Sequence, residues 1–344
     1  MNVIHEPDDY APLSGALCVF ASPIVFMEPE RCTSWPWIGH IPFGFWVMDA
    51  IRPEILVELG THTGTSYLAF CQAVRHLRLA TACFAVDTWR GDPQSGFYGE
   101  EVFAELQLYH EPRYGDFSRL IRSTFDEALG HFADQSIDLL HIDGYHLYEK
   151  VKHDFTSWLP KLSRRGVVLF HDINVREGDF GAWRLWEEIS STYPSFTFLH
   201  SHGLGVLATG PEQSAPVRKL LSLRNDDPQL ISGVRRFFER LGGRLSDQLR
   251  NNEILAEQAC LKDELSIQRK QNEELNALLK RNGGETSRLR TELDRRLDKI
   301  RSLEAERSQY QQDITHLQSH LGNRDELIDQ LAKKVRSGTP TSSV

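Results

Sequence analysis

The stretch 137–174, IDLLHIDGYHLYEKVKHDFTSWLPKLSRRGVVLFHDIN, constrains the chain more than any other. Two apolar runs within it, 137–140 and 167–170, end in acid and imidazole groups: His141, Asp143 and His146 after the first, His171 and Asp172 after the second. Each run reads as a buried strand. Between them Val151, Phe155, Trp158, Leu159 and Leu162 recur at the three- and four-residue spacings of an amphipathic helix over 148–162. Strand, helix and strand of this length close a right-handed crossover between parallel neighbours. Asp143, His146, His171 and Asp172 then fall at the carboxyl ends of adjacent strands, the edge where open parallel sheets bind ligands. Such a group is able to hold a divalent metal and leave one imidazole as a base.

The flanking segments extend the same pattern. An apolar strand at 54–59 runs into Gly60, Thr61, His62, Thr63 and Gly64, then into a helix through Leu68, Phe70, Val74 and Leu77. Glycines at a strand-to-helix turn let backbone N–H groups approach a ligand closely. A second strand at 83–86 ends in Asp87, ~20 residues after the turn, where an acid can accept ribose hydroxyls. That spacing indicates a nucleoside-containing cofactor. A loop through Trp89 and Gly99, a helix around 101–109, a short strand at 120–122 followed by Ser123 and Thr124, and a helix from Asp126 make a third crossover unit. After the central stretch come Gly178 to Gly181, a helix through Trp183, Leu185, Trp186 and Ile189, and strands at 195–199 and 204–208 joined by His200, Ser201, His202 and Gly203. The expected fold is α/β, a mostly parallel sheet with helices on both faces and an antiparallel strand near one end.

The ends of the chain differ from this centre. Residues 1–50 read as an aromatic-rich extension or lid, with five aromatics and two prolines in 34–48; a layer on the core is favoured, because most aromatics are buried. Every Trp and Phe precedes residue 240, so the core belongs to the first two thirds, with the cofactor domain at 51–210. Residues 211–249 read as a helical connector whose Arg235, Arg236, Arg240 and Arg244 make a solvated face. From 250 to 336, Leu293, Ile300, Leu303, Tyr310, Ile314, Leu317, Leu321, Ile328, Leu331 and Val335 follow heptad spacing, interrupted by Arg296, Arg307 and Arg324. An earlier seam holds Ile254, Leu261, Leu265, Leu275 and Leu279 with Asn272 at a core position, and Gly283 and Gly284 separate the two. This predicts a coiled coil that makes a homo-oligomer or engages a partner, followed by a disordered tail at 337–344. Net charge of -9 argues against nucleic acid or an anionic membrane as partner. Five scattered cysteines, no signal segment and no apolar run of spanning length predict a cytoplasmic protein without a membrane span.

Residues 58–64, ELGTHTG, resemble motif I of class I S-adenosylmethionine-dependent methyltransferases, with His62 in place of the commoner middle glycine. Ile142, Asp143, Gly144, Tyr145 and His146, with Tyr148, Val151 and Asp154 beyond and Phe170, His171 and Asp172 closing the next strand, resemble the branch of macrocin O-methyltransferase and cephalosporin hydroxylase-like proteins. The segments 171–177, 180–186 and 203–206 are similar to methyltransferase modules found with bacterial sugar-transfer enzymes. The likeness covers about residues 30–210. It implies a Rossmann-like, mostly parallel seven-stranded sheet binding S-adenosyl-L-methionine. Glu58 and the backbone of Gly60, Thr61, His62 and Gly64 would hold the methionine portion and Asp87 the ribose. Trp89, Ser123 and Thr124 would lie near the adenine, with Asp143 also at the cofactor. Asp143, His171 and Asp172 would bind a divalent metal, Mg²⁺ in that branch, and His146 would be the base. His171 departs from the pattern, since that branch can carry a carboxylate there, and imidazole suits transition metals better than Mg²⁺.

The expected activity is methyl transfer to a hydroxyl of a sugar or glycosylated acceptor, with the coiled coil serving a homo-oligomer or a polysaccharide-assembly partner. Two other readings stay open: a non-catalytic scaffold working through its coiled coil, and a metal-dependent hydroxylase on the same fold. Asp87 and Asp143 also have a bland reading as helix caps. His141 and His153 read as structural, Asp154 and Asp179 as solvated or capping, and Arg176 with Glu177 as a substrate contact.

Overall fold

Apolar runs too short to be helices and bounded by Gly, Asp and Ser form the strands. They are β1 (Ile55–Leu59), β2 (Ala82–Asp87), β3 (Ser118–Arg122), β4 (Ile137–Ile142), β5 (Leu162–His171), β6 (Ser195–Phe198) and β7 (Leu204–Ala208). The helices that matter most are α1 (Ile41–Ile51), α2 (Thr65–Leu77), α3 (Tyr148–Trp158), α4 (Ala182–Ile189), α5 (Pro228–Arg281) and α6 (Thr286–Ser337). The computed structural model describes residues 17–33, 35–281 and 286–337, and the chain divides into two compact units, one drawn from 1–245 and 330–344 and the other Ser246–Asp329. Residues 1–16, Ser34, Gly283, Gly284 and the tail beyond Ser337 lie outside the described residues.

In the first unit seven strands make one sheet in the order β3-β2-β1-β4-β5-β7-β6. The pairs among β1 to β5 are parallel, while β7 runs antiparallel to both β5 and β6. The chain winds outward from β1 through β2 to β3, then returns to the other side of β1 with β4. Loops leaving the carboxyl ends of β1 and β4 therefore diverge and leave a crevice between them. The sequence reading starts β5 at Val167, but the strand begins at Leu162: Pro160 ends α3, Leu162 pairs with Ile137, and an irregular stretch over 163–166 precedes the continuous pairing from Val167.

Side chains alternate between the two faces of the sheet. On one, Val57, Leu59, Val86, Leu140, Ile142, Val168 and Phe170 bury against Val151, Phe155 and Trp158 of α3 and Leu185 and Trp186 of α4. Asp154 shares that buried side of α3 and is 7% exposed, so it is neither solvated nor a cap. On the opposite face, Glu58 and His141 meet Trp37, and Phe70 of α2 packs edge-on to both the Trp37 and His141 rings. Every residue of α1 from Ile41 to Met48 is buried, so this aromatic stretch forms a layer on the sheet.

The 211–245 segment also joins the core. Phe238 packs against Phe43 and Phe198, and Arg235 donates to the Thr197 carbonyl at 2.7 Å, which takes that arginine off the solvated face.

In the second unit α5 and α6 pack against each other around Leu261, Leu265, Ile300 and Leu303. Polar pairs run in opposite directions along the two helices, Glu257 with Tyr310, Glu264 with Lys299 and Gln271 with Arg296. The seam that the heptads assign to an oligomer is filled by an antiparallel helix of the same chain. Among the described residues no helix is long and apolar enough to cross a membrane.

Candidate active site

The turn after β1 is shaped by backbone conformations that side chains resist. Gly60 has φ +86°, and a Cβ there would strike the Asp143 carbonyl. Gly64, at φ +88°, opens α2. The next control is Asp87 at the end of β2. Its Oδ2 accepts the N–H groups of Thr61 and His62 at 2.8 and 2.9 Å, and its Oδ1 accepts that of Trp89 at 2.8 Å. Asp87 thus orders the glycine turn and keeps one lone pair on Oδ1 for a ligand.

A cavity of about 440 Å³ opens above these strand ends. Its walls include Gly60, Thr61, His62 and Asp87 at one end and Asp143, His146, His171 and Asp172 at the other. Thr61 Oγ1 is buried on this wall without a hydrogen-bond partner, as a hydroxyl awaiting a polar ligand would be. Three expected cofactor contacts lie elsewhere. Glu58 is fully buried beneath the turn and bonded to His141 Nδ1 at 2.7 Å. Trp89 is buried under the loop, donating to the His62 carbonyl at 2.8 Å and packing on Phe103. Ser123 turns its hydroxyl to the Thr124 carbonyl at 2.7 Å. Thr124 does reach the cavity, while its hydroxyl caps the short helix Phe125–Ala128 by accepting from Glu127 N–H. Thr88, Tyr98 and Phe125 also wall the cavity. The His62 ring lies 4.8 Å from that of Tyr98, and burial holds its pKa below the ordinary histidine value.

At the other end, Asp143, His146 and Asp172 bring donor atoms within 4.8 Å of one another, the metal-type group found among the described residues. His146 Nε2 is 3.3 Å from Asp143 Oδ1 and 3.1 Å from Asp172 Oδ2. Its ring stacks on Phe180, 5.2 Å away and 9° from parallel. Two carboxylate oxygens and an imidazole nitrogen fit a divalent cation, with carboxylates favouring Mg²⁺ or Mn²⁺ and imidazole favouring transition metals.

His171, expected among the ligands, takes a different place. Its Nδ1 faces Asp143 Oδ1 at 3.1 Å and Asp172 Oδ1 at 3.2 Å, and its Nε2 faces the Ser201 carbonyl at 3.2 Å. All of these are acceptors, so both nitrogens carry protons. Burial opposes that charge, but the two carboxylates outweigh it and push the pKa up to about 9. His171 therefore anchors the carboxylates from behind, the role of an outer hydrogen-bonding partner. Burial by itself would raise Asp143, yet His171 and then His146 hold it well below the usual carboxylate range.

His202, which no spacing rule pointed to, completes the cluster. Its Nδ1 is 3.1 Å from Asp172 Oδ1, and that bond raises its pKa against the opposing effect of burial. Asp172, Ser201 and His202 all have positive φ, at 59°, 48° and 67°, a concentration of backbone strain beside the cavity. The strained loop is held from below: the Ser201 carbonyl also accepts from His40 Nε2 at 3.0 Å, and His200 Nε2 donates to the Gly39 carbonyl at 3.1 Å.

Gln94 was also missed. Its Oε1 accepts the His146 N–H at 3.0 Å and its Nε2 donates to Asp179 at 2.6 Å, joining the loop after β2 to the loop before α4. Asp179 thus serves this clasp. Arg176 is paired with Glu187 at 2.8 Å and lies over Trp183, away from the cavity wall.

Residues 57–173 match the family model described as a methyltransferase domain. The Sinorhizobium fredii (strain NBRC 101917 / NGR234) protein "Uncharacterized protein y4gI" is 52% identical over 205 residues, which make up 60% of this chain and 22% of that protein. The chain therefore spans about a fifth of the length of this curated relative. Among solved structures, the SAH-bound Podospora anserina methyltransferase PaMTH1 is similar over 60% of this chain and 98% of its own, at 14% identity and TM-score 0.40. The O-methyltransferase TomG from Streptomyces achromogenes, in complex with SAM, is similar over 60% of this chain and 92% of its own, at 13% identity and TM-score 0.39. The segment matched by the methyltransferase-domain model runs from within β1 to just past β5 and contains Asp87, Asp143, His146, His171 and Asp172.

Proposed function

We propose that the chain is an S-adenosylmethionine-dependent O-methyltransferase whose acceptor is a hydroxyl of a sugar or glycosylated molecule. The observation that carries this reading is a single cavity joining the glycine turn and Asp87 to the Asp143, His146 and Asp172 cluster. The glycine turn and Thr61 hydroxyl would take the methionine portion, the free lone pair of Asp87 the ribose, and Thr124 the adenine side. The bound cofactor supplies a sulfonium methyl group.

Transfer to oxygen is an in-line displacement, so the protein contributes mainly by aligning the acceptor with that carbon. A sugar hydroxyl is a weak nucleophile near neutral pH, and its proton needs a destination. We assign His146, whose Nε2 lies 3.3 Å from Asp143 Oδ1 and 3.1 Å from Asp172 Oδ2, as the base that takes that proton. Phe180 fixes the plane of the imidazole and Gln94 its backbone. Asp143 and Asp172 would hold a divalent ion, which when bound lowers the pKa of a coordinated hydroxyl. We assign the helical unit to attachment, with a polysaccharide-assembly partner as its target, and the protein to the cytoplasm.

Radiolabelled methyl transfer from S-adenosylmethionine to a panel of glycosylated acceptors tests this, with Mg²⁺ binding measured in parallel. His146→Ala should lower kcat at least ~100-fold, the scale of general base catalysis, while leaving Mg²⁺ affinity near wild type. Loss of Mg²⁺ binding in that variant would make His146 a ligand and contradict its assignment as base.

A further inference from the structure

The indole N–H of Trp37 can only donate. It lies 3.1 Å from Nε2 of His141, so that nitrogen must be the unprotonated one. The single ring proton of His141 then sits on Nδ1, 2.7 Å from Glu58 Oε2, which accepts it. The chain of donation runs from Trp37 through His141 to Glu58 in one fixed direction. Glu58 and His141 are 0% exposed and Trp37 2%, so water does not compete with either bond. Packing holds the same arrangement. Phe70 sits edge-on to the Trp37 ring at 5.3 Å and to the His141 ring at 5.8 Å, and the absence of a side chain at Gly44 leaves room for the indole.

This buried line ends on the cavity wall. Trp37 lines it beside Thr61, Thr65 and Ser66, at the end formed by the glycine turn. Glu58, the last-but-one residue of β1, lies beneath that turn and is 0% exposed. We propose that His141 is a positioning residue: oriented by Glu58, it fixes the Trp37 indole as the wall against which the methionine portion of the cofactor packs. Glu58 acts on the ligand through His141 and Trp37. The ligand's identity rests on the S-adenosylmethionine reading of the cavity; the pinning of Trp37 does not.

Full-length protein carries the test. Gln at 141 can accept from the indole through its oxygen and donate to Glu58 through its amide, preserving the order of the bonds. Leu at 141 can do neither. Trp37→Phe keeps a ring but removes the donor, and it covers the case in which His141→Leu fails to fold with Glu58 left unpaired. In ¹⁵N-histidine NMR, His141 is expected as the Nδ1–H tautomer; the Nε2–H tautomer overturns the proposal. The Trp37 indole N–H, assigned by its loss in Trp37→Phe, should exchange slowly in wild type and His141→Gln and at least ~10-fold faster in His141→Leu, as loss of a hydrogen bond of roughly 1.4 kcal/mol requires. Calorimetry with S-adenosylhomocysteine should show affinity reduced about 10-fold in Trp37→Phe and His141→Leu and within about 3-fold of wild type in His141→Gln. A folded His141→Leu that binds as wild type does, or a His141→Gln as weak as His141→Leu, overturns it. If wild type itself binds no S-adenosylhomocysteine, the cofactor reading fails, and the tautomer and exchange measurements still decide whether His141 pins Trp37.

Discussion

Asp87 carries three backbone hydrogen bonds, and this changes what its substitution means. Asp87→Ala would strand three N–H groups in and around the glycine turn, each costing about 1–3 kcal/mol if left buried and unmet. We expect a loss of roughly 2–4 kcal/mol in urea unfolding, with weaker cofactor binding as a consequence; unchanged stability would mean that water readily replaces the carboxylate. Spacing alone located Asp87 at a ligand-binding edge. It could not reveal the backbone bonds, because they depend on left-handed residues such as His62 whose conformation is set by the fold.

Asp154 gives a second test at this scale. Burial pushes its pKa up to about 7, so the folded protein holds this proton more tightly than the unfolded chain does. With a folded value above the unfolded one, the stabilising contribution is complete below about pH 4 and is lost as pH rises toward 7. Asp154→Asn removes the group that loses it. The variant should be more stable than wild type at pH 8, by roughly 1–3 kcal/mol, and nearly equal at pH 4, measured by chemical denaturation. An identical difference at both pH values would contradict this account. A lone acid in a helical pattern reads as solvated, and only the packing of α3 on the sheet shows which side of the helix it occupies.

At the scale of elements, the strand-helix-strand unit at 137–174 was legible because periodicity and apolar runs agree, although the helix read to 162 ends at Trp158, ahead of Pro160. The loops were not. Gln94 and His202 reach the site through a clasp and a strained hairpin, neither of which has a period to read. The heptads raise a different problem: spacing defines a seam but not the strand that fills it, and here α6 packs against α5 of the same chain. Asn272 is 6% exposed in that seam with Oδ1 lacking a partner. Asn272→Leu should therefore raise the thermal stability of the helical pair, by about 1–2 kcal/mol. A lower melting temperature would show that the amide finds a partner in solution and sets the register of the helices.

At the scale of the whole molecule, the resemblance read around residues 58–64 and 142–172 and the sheet order converge on one crevice. Sequence reading placed four of the acid and imidazole groups there correctly as a set. It read His171 as a ligand, because two histidines after parallel strands look equivalent until one is seen with acceptors at both nitrogens.

The most direct test of the central claim is calorimetric titration of the full-length protein with S-adenosylhomocysteine, with and without Mg²⁺, beside Gly60→Val, whose side chain would strike the Asp143 carbonyl. One saturable site per chain, lost in a folded Gly60→Val, is the predicted result. No binding by folded wild-type protein under either condition would contradict the account.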